Sequence, residues 1–522
     1  MMRLSTAVTD FGDPLLNSWT LAWVAHQLPL DPRHLFDAPI FYPEAGTLAY
    51  SEALLLPGLA VAPILWLGGD PILAHNILLI AGYVLSGLAT FVLVRKLTGH
   101  EGAALVGAVI FAIYPYRLEE YAKVQLQLTC LLPMALWALH RLIEQPSSRS
   151  TLVLGGLIAG QIYSCIYYGI YGSIVIAVVG TIGMFAVARN RRSAVIGRFV
   201  MALIVAAIVA VPLAQPYRAA ARVVGERSID EVDRGSANVR DYARAHPDNA
   251  LYGQRDHPGI GERRLFPGYV APALAAAGLA PPTTWIVLAY AAATAVSVDL
   301  SLGVNAPGYR WLYRWLWPFR AVRVPARFAM LAGLTLAVLA GFGVARLCRG
   351  RSVSIQIAIV ALSIGLVALE SRPHSLELSE LADRAPAVYT WLAAQPRGVV
   401  CEYPVGNLQG RAGPQDATYM YYATRHWQPL VNGYSGFAPP SYLELLDRLR
   451  TFPDDGAMTY LRERGVTYLL VHSPFYIRGD FAADVRALKA RADVESVGRF
   501  PWKGGGVTEV FRVRHSALGT RR

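Results

Sequence analysis

Charge is scarce in this sequence. Only 16% of its 522 residues are Asp, Glu, Lys or Arg, whereas 54% are hydrophobic; an ordinary soluble domain carries about 25% charged residues. Cysteine is scarcer still, four in all, and Cys130, Cys165, Cys348 and Cys401 form no CxxC or zinc spacing, so neither a disulfide framework nor a structural zinc site is implied. Cys130 and Cys165 fall in apolar segments, Cys348 in a basic loop and Cys401 in a strand-like run. No GxSxG, Walker, HExxH or GxGxxG motif stands in a usable context, which excludes the hydrolase, nucleotide-binding and zincin classes those patterns mark. His26, His75, His140 and His426 share no metal-ligand spacing.

The hydrophobic residues are gathered in blocks of about 15–25 residues up to Leu369, the length that crosses a hydrocarbon core about 30 Å thick. Spans are expected near 71–94, 103–116, 123–143, 151–168, 170–188, 197–215, 268–280, 283–299, 326–345 and 353–369. Ala53 to Leu67 is shorter and interrupted by Pro57 and Pro63, and reads as an interfacial or re-entrant helix. Residues 1–52 are mostly polar with a weakly amphipathic piece from Leu15 to Leu28. From about Arg372 the pattern changes. Helical stretches (386–395, 441–452, 458–464, 481–492) interleave with strands (398–405, 466–472, 507–513). The expected fold class is therefore an α-helical polytopic membrane domain, about ten transmembrane helices plus interfacial helices, in residues 1–371, followed by a small α/β soluble domain in residues 372–522.

The net charge of +12 belongs to this membrane pattern and not to nucleic-acid binding. Arg95 with Lys96, Arg141 with Arg149, the cluster Arg189, Arg191, Arg192 and Arg198, and the group Arg346, Arg349 and Arg351 mark four loops as cytoplasmic by the positive-inside rule. Ten spans then leave both chain ends and the C-terminal domain outside, on a multi-pass protein of the cell inner (plasma) membrane. The stretch from Tyr309 to Arg327 carries five arginines and no acid yet falls outside by parity. Its Trp and Tyr residues suit a helix lying in the interface.

Two acidic sites lie in the first and second outer loops. Asp10 and Asp13 flank Gly12, just ahead of a helical piece, where a carboxylate is also a plain helix cap. Glu119 and Glu120 lie in RLEEYAKVQLQL (117–128), where Arg117 or Lys123 would pair with one of them as a structural bridge. Close carboxylates act as general base or metal ligand, so a divalent metal would have ligands here, while no cofactor is identified. Arg323 and Arg327 in the basic outer stretch suit a phosphate, and equally suit snorkelling to lipid headgroups. Gln125 lines the same region or caps a helix. His426 and Trp427, with Tyr442, would offer a sugar an aromatic surface. His75 with Asn76 reads as a packed polar pair, and Asn432 to Gly436 as a turn.

The sequence resembles the GT-C superfamily of polytopic membrane glycosyltransferases, the class holding the dolichyl-phosphate-mannose and arabinose-lipid-A type enzymes, and most nearly bacterial GT-C-like or YfhO-like membrane proteins. The likeness is carried by GDPLLNSWTLAW (12–23), LFDAPIFYPE (35–44), YPYRLEEYAKVQLQL (114–128), RVPARF (323–328) and MYYATRHWQPLVNGYSGFAPPSYLELL (420–446). The resemblance implies a cavity open to the outside, a polyprenyl-phosphate-linked sugar donor, an unknown glycan, lipid or protein acceptor, and inversion at the sugar. It makes Asp13, with Asp10 as alternative, the general base, and Glu119 or Glu120 the second acid. Family members carry a transmembrane helix ahead of the acidic loop; its absence before Asp10 gives the expectation that the chain begins one helix too late. Two other functions compete: a transporter or flippase of a lipid-linked glycan, and a non-catalytic membrane protein whose C-terminal domain binds a partner or glycan. Transporters place charge at the bilayer midplane, whereas here the acids cluster in outer loops, which favours the enzyme.

Overall fold

A computed structural model describes residues 3–253, 262–373, 377–384, 386–406, 412–477 and 479–515. Among them, seven helices are long and apolar enough to cross a membrane: Pro71–Thr98, Glu101–Glu119, Val124–Glu144, Ile166–Ala186, Arg189–Val224, Pro325–Cys348 and Val353–Glu370. The other three expected spans are helices too, but shorter: Ser148–Ser164 with 17 residues, Val270–Leu279 with 10 and Trp285–Ser301 with 17. The chain is thus a multi-pass membrane protein with seven helices of clear spanning length among the described residues, where about ten spans were expected. Cys348 closes a helix and is buried, where a loop position was expected.

The chain divides into two compact units. One comprises Met1–Ile77, Gln215–Gly225 and Leu378–Arg522, the other Leu78–Ala214 and Glu226–Glu377. In the helical unit, Pro325–Cys348 is the axis: 83% of its apolar window is buried, against 17% for Val353–Glu370. A helix buried on all sides is central, and one left apolar and open faces lipid. Val270–Leu279 packs closely on the axial helix because both present glycine. A Cβ on Gly343 would run into the Leu274 carbonyl, and one on Gly278 would stand 2.5 Å from the Leu339 carbonyl. Small residues allow this backbone approach between membrane helices. Gly343→Val is therefore expected to separate the pair and cost about 1–3 kcal/mol, read as a lower midpoint of thermal unfolding in detergent; an unchanged midpoint would contradict the packing.

The other unit holds the sheets and its own core. The strands Ala7–Val8 (β1) and Ser379–Glu380 (β2) pair antiparallel. Val399–Tyr403 (β3), Val466–His472 (β4), Val494–Pro501 (β5) and Val507–Val513 (β6) form a sheet in the order β3-β4-β6-β5, parallel between β3 and β4 and antiparallel elsewhere. The strands near 398–405, 466–472 and 507–513 were expected; β5 was not. Helix α1 (Asp13–Leu30) starts with Pro14 in its first turn and buries both tryptophans, Trp19 and Trp23. It packs on helix α2 (Leu55–Trp66) and on the helix Pro414–Ala423. The weakly amphipathic surface piece expected at Leu15 to Leu28 is therefore a core helix. Its residues meet water on almost no face, so amphipathic periodicity has no reason to be strong.

Candidate active site

In the unit containing α1, the acidic pair is shaped around Gly12. The Asp10 Oδ1 accepts the Gly12 N–H at 2.7 Å, and a Cβ on Gly12 would stand 3.1 Å from that oxygen and 3.2 Å from the Tyr434 Oη. The Tyr434 hydroxyl donates to the Asp13 Oδ1 at 3.4 Å. Gly12 caps α1 with no side-chain hydrogen bond, so Asp13 occupies the first turn without being spent as a cap. Asp13 is half-buried and Asp10 exposed. The geometry leaves a carboxylate, preorganised but accessible, beside a phenol.

The proposed sugar surface of His426, Trp427 and Tyr442 is not one surface. Tyr442 is 1% exposed. His426 lies parallel to Tyr389 with ring centroids 6.0 Å apart, and burial pushes its imidazole down to about 4. Trp427 turns instead toward α1. His75 and Asn76 are the packed pair the sequence suggested: Nδ1 of His75 meets Oδ1 of Asn76 at 3.1 Å, while the Asn76 amide donates to the carbonyls of Leu4 and Ala7 at 2.7 and 2.8 Å.

In the helical unit, Glu119 and Glu120 are adjacent but point to different partners. Glu120, 2% exposed, pairs with Lys123 at 2.6 Å; Lys123 also reaches Glu262 at 2.8 Å; Glu262 accepts the forked donors of Arg327 at 2.8 and 2.9 Å. This chain of two anions and two cations neutralises itself. Burial would raise the Glu262 carboxyl, but Arg327 and Lys123 overcome it and hold that carboxyl well below its ordinary value. Glu120 is pushed up by burial and by the negative Glu262. Arg327 also lies over the Tyr167 ring at 4.9 Å. It is therefore engaged by protein groups on its fork and on its face, whereas Arg323 is exposed. The hydroxyls of Tyr116 and Tyr168 are buried without a hydrogen-bond partner among the described residues.

Glu119 differs from its neighbour. Its Oε1 accepts Arg264 at 2.7 Å, while its buried Oε2 lies 3.6 Å from His246 Nε2 and has no hydrogen bond among the described residues. Arg117 is wholly buried, donates to the Gln127 carbonyl at 3.0 Å and stacks on Phe111 at 4.6 Å. Gln127 returns two bonds, to the carbonyls of Arg117 and Glu120. Arg117 therefore fastens the turn that carries both glutamates. Gln125, one turn on, is buried as well. Sequence reasoning missed Glu262, His246 and Arg264, all from the long loop at 216–267. Among the described residues no three His, Cys, Asp or Glu side chains gather as metal ligands.

A polytopic helical membrane part with a small sheet domain defines a fold class, and that fold is shared with two solved structures. The chain is similar to the cryo-EM structure of arabinofuranosyltransferase AftD from Mycobacteria, with a TM-score of 0.63 and 16% identity over 98% of this chain and 40% of that one. It is also similar to ArnT from Cupriavidus metallidurans in the apo state, with a TM-score of 0.50 and 13% identity over 95% of this chain and 93% of that one. The chain thus spans 40% of the length of AftD. No family model matches the chain, and no curated protein matches it.

Proposed function

We propose that this protein is a membrane glycosyltransferase that moves a sugar from a polyprenyl-phosphate-linked donor to an acceptor hydroxyl at the extracytoplasmic face. The observation that carries the reading is the likeness of fold over nearly the whole chain to two membrane glycosyltransferases. Asp13 is the general base. It takes the proton of the acceptor hydroxyl as that oxygen attacks the anomeric carbon. The bond from that carbon to the phosphate oxygen breaks, and the lipid phosphate leaves with the electron pair, inverting the sugar. Tyr434 keeps Asp13 in place. Glu119, in the helical unit, is the second acid of the proposal. Glu120 and Arg327 are joined through Lys123 and Glu262 and serve as framework. Arg323, exposed in the basic segment of the helical unit, is the candidate contact for a phosphate. In this arrangement the four arginine-rich loops are cytoplasmic, and the acidic loops and the α/β part are outside.

Asp13→Asn keeps the shape of the side chain and removes its basicity. Transfer of labelled sugar from polyprenyl-phosphate arabinose or polyprenyl-phosphate mannose in membranes is expected to fall at least about 100-fold, with the protein still inserted in normal amount. Wild-type transfer by Asp13→Asn would end the proposed mechanism; loss of transfer in Asp10→Asn alone would move the base to Asp10.

A further inference from the structure

A cleft near the far end of α1 is a second feature with the character of a ligand site. It encloses about 560 Å³, within the range of about 300–1,000 Å³ usual for small-molecule sites. Three rings shape it. The His26 imidazole lies parallel to the Trp427 indole with centroids 4.6 Å apart, and Trp66 lines the opening with 60% of its surface exposed. Trp66 is not a loose surface ring: its Nε1 donates to the Ala25 carbonyl at 2.9 Å. Trp427 is held in the left-handed backbone region at φ +49°. Bulky residues rarely adopt that conformation, and where they do the strain is maintained by surroundings that fix the residue.

Polar groups converge beside these rings. Both oxygens of Asp70 accept the Tyr421 hydroxyl, at 3.0 and 3.1 Å, and one also accepts the Ile72 N–H at 2.8 Å. A carboxylate has about four acceptor positions, so Asp70 keeps capacity for a ligand hydroxyl. Arg425 is exposed, donates to the Arg384 carbonyl at 2.9 Å and lines the same cleft. An anionic headgroup would be repelled by Asp70, and an apolar tail would leave both charges unsatisfied. A polyhydroxylated ring satisfies all of these groups at once. Its C–H face lies on an indole, and its hydroxyls donate to the carboxylate and accept from the guanidinium.

We infer that this cleft is a saccharide-binding site separate from the acidic pair. His26 is 13 residues beyond Asp13 on α1, about 20 Å at 1.5 Å per residue. A sugar held there is too far from Asp13 to react and belongs to a remote part of a glycan. The inference concerns binding and holds whether or not the chain transfers sugar.

The test uses the full chain purified in detergent, with an arabinan oligosaccharide and a mannan oligosaccharide as probes and tryptophan fluorescence and calorimetry as readouts. Trp66→Ala removes an exposed ring. Trp427→Gly removes the other ring while easing the left-handed backbone, since glycine tolerates positive φ. Wild-type protein is expected to bind one of the two probes at millimolar concentration or better, and each variant to weaken that binding at least about tenfold with unchanged elution on size exclusion. The inference is overturned if neither probe binds wild-type protein, or if both variants bind as wild type does. It is equally overturned if Trp66→Ala weakens only association with phosphatidylglycerol vesicles, which would make the ring a lipid anchor.

Discussion

Glu262→Gln is expected to destabilise the helical unit by about 3–5 kcal/mol, the usual result of removing one partner from a buried ion pair. Glu262 is the anion between Lys123 and Arg327, and the side chains of all three are less than one fifth exposed. Without its charge, two buried cations are left facing Glu120, and the Arg327 fork loses one of its two acceptors. Glutamine retains one oxygen and no charge, so the desolvation of Arg327 is no longer offset. The comparison that isolates the effect is Glu262→Leu combined with Arg327→Met, which removes anion and cation together and is expected to recover most of the loss. The pH dependence has a defined sign. The folded carboxyl of Glu262 is held below its unfolded value. Its contribution is therefore complete above the ordinary glutamate pKa of about 4.3 and is lost as pH falls through the lower folded value. Thermal unfolding in detergent should find Glu262→Gln weakened at neutral pH and the gap to wild type closing only in strong acid. A constant gap throughout acid, or a double variant as unstable as the single, would show that the network does not stabilise this unit.

The parts of this molecule legible from sequence are those whose residues repeat against a single environment. Blocks of apolar residues gave the helices of the membrane part, and VTYLLVH gave β4 because a strand buried on both faces needs no alternation. Edge strand β5 was invisible for the opposite reason: most of VESVGRFP is partly or fully exposed, and it contains glycine and proline. The helix Pro414–Ala423 was missed because eight of its ten residues are buried, which removes the polar face that makes a helix readable. Among candidate residues, Asp13 in one unit and Glu119 in the other could be nominated because acids are conspicuous among apolar spans. Their partners could not. Glu262, Arg264 and His246 lie some 120–140 residues beyond the 117–128 segment, in a loop with no periodicity, and only the fold joins them. The Trp427 ring was nominated from its composition alone, and its partner His26 is 401 positions away in the numbering. Pairings at that separation carry no local signal.

Glu402→Ala is expected to cost the unit that contains the sheet a similar amount, about 3–5 kcal/mol, by a different route. Glu402 and His472 are both wholly buried, on the parallel neighbours β3 and β4. The Glu402 Oε2 meets His472 Nε2 at 2.6 Å and accepts the Tyr389 hydroxyl at 2.9 Å. On the other side of the ring, His472 Nδ1 meets the Thr508 Oγ1 at 2.8 Å, and that oxygen also accepts the Trp502 Nε1–H at 2.7 Å. Glu402, His472, Thr508 and Trp502 thus form one line of hydrogen bonds from β3 through β4 to β6 and its turn. Asn432 bonds both the N–H and the carbonyl of Glu402, at 2.8 and 2.9 Å, fixing the backbone from which the carboxylate extends. Truncation to alanine leaves the His472 and Tyr389 donors buried without acceptors, each at a desolvation cost of about 1–3 kcal/mol, and opens a cavity in addition. Glu402→Gln keeps an acceptor and the volume, so it should lose less than alanine. His472→Phe with Glu402→Leu replaces the line by apolar groups and is expected to lose less than either partner's truncation alone. The midpoint shift for Glu402→Ala should be about 10 °C for a unit of this size, accompanied by faster proteolysis within residues 378–515 and little change in the helical unit. Equal midpoints for alanine and glutamine would mean that the volume of the side chain, and not its hydrogen bonds, is what this core requires.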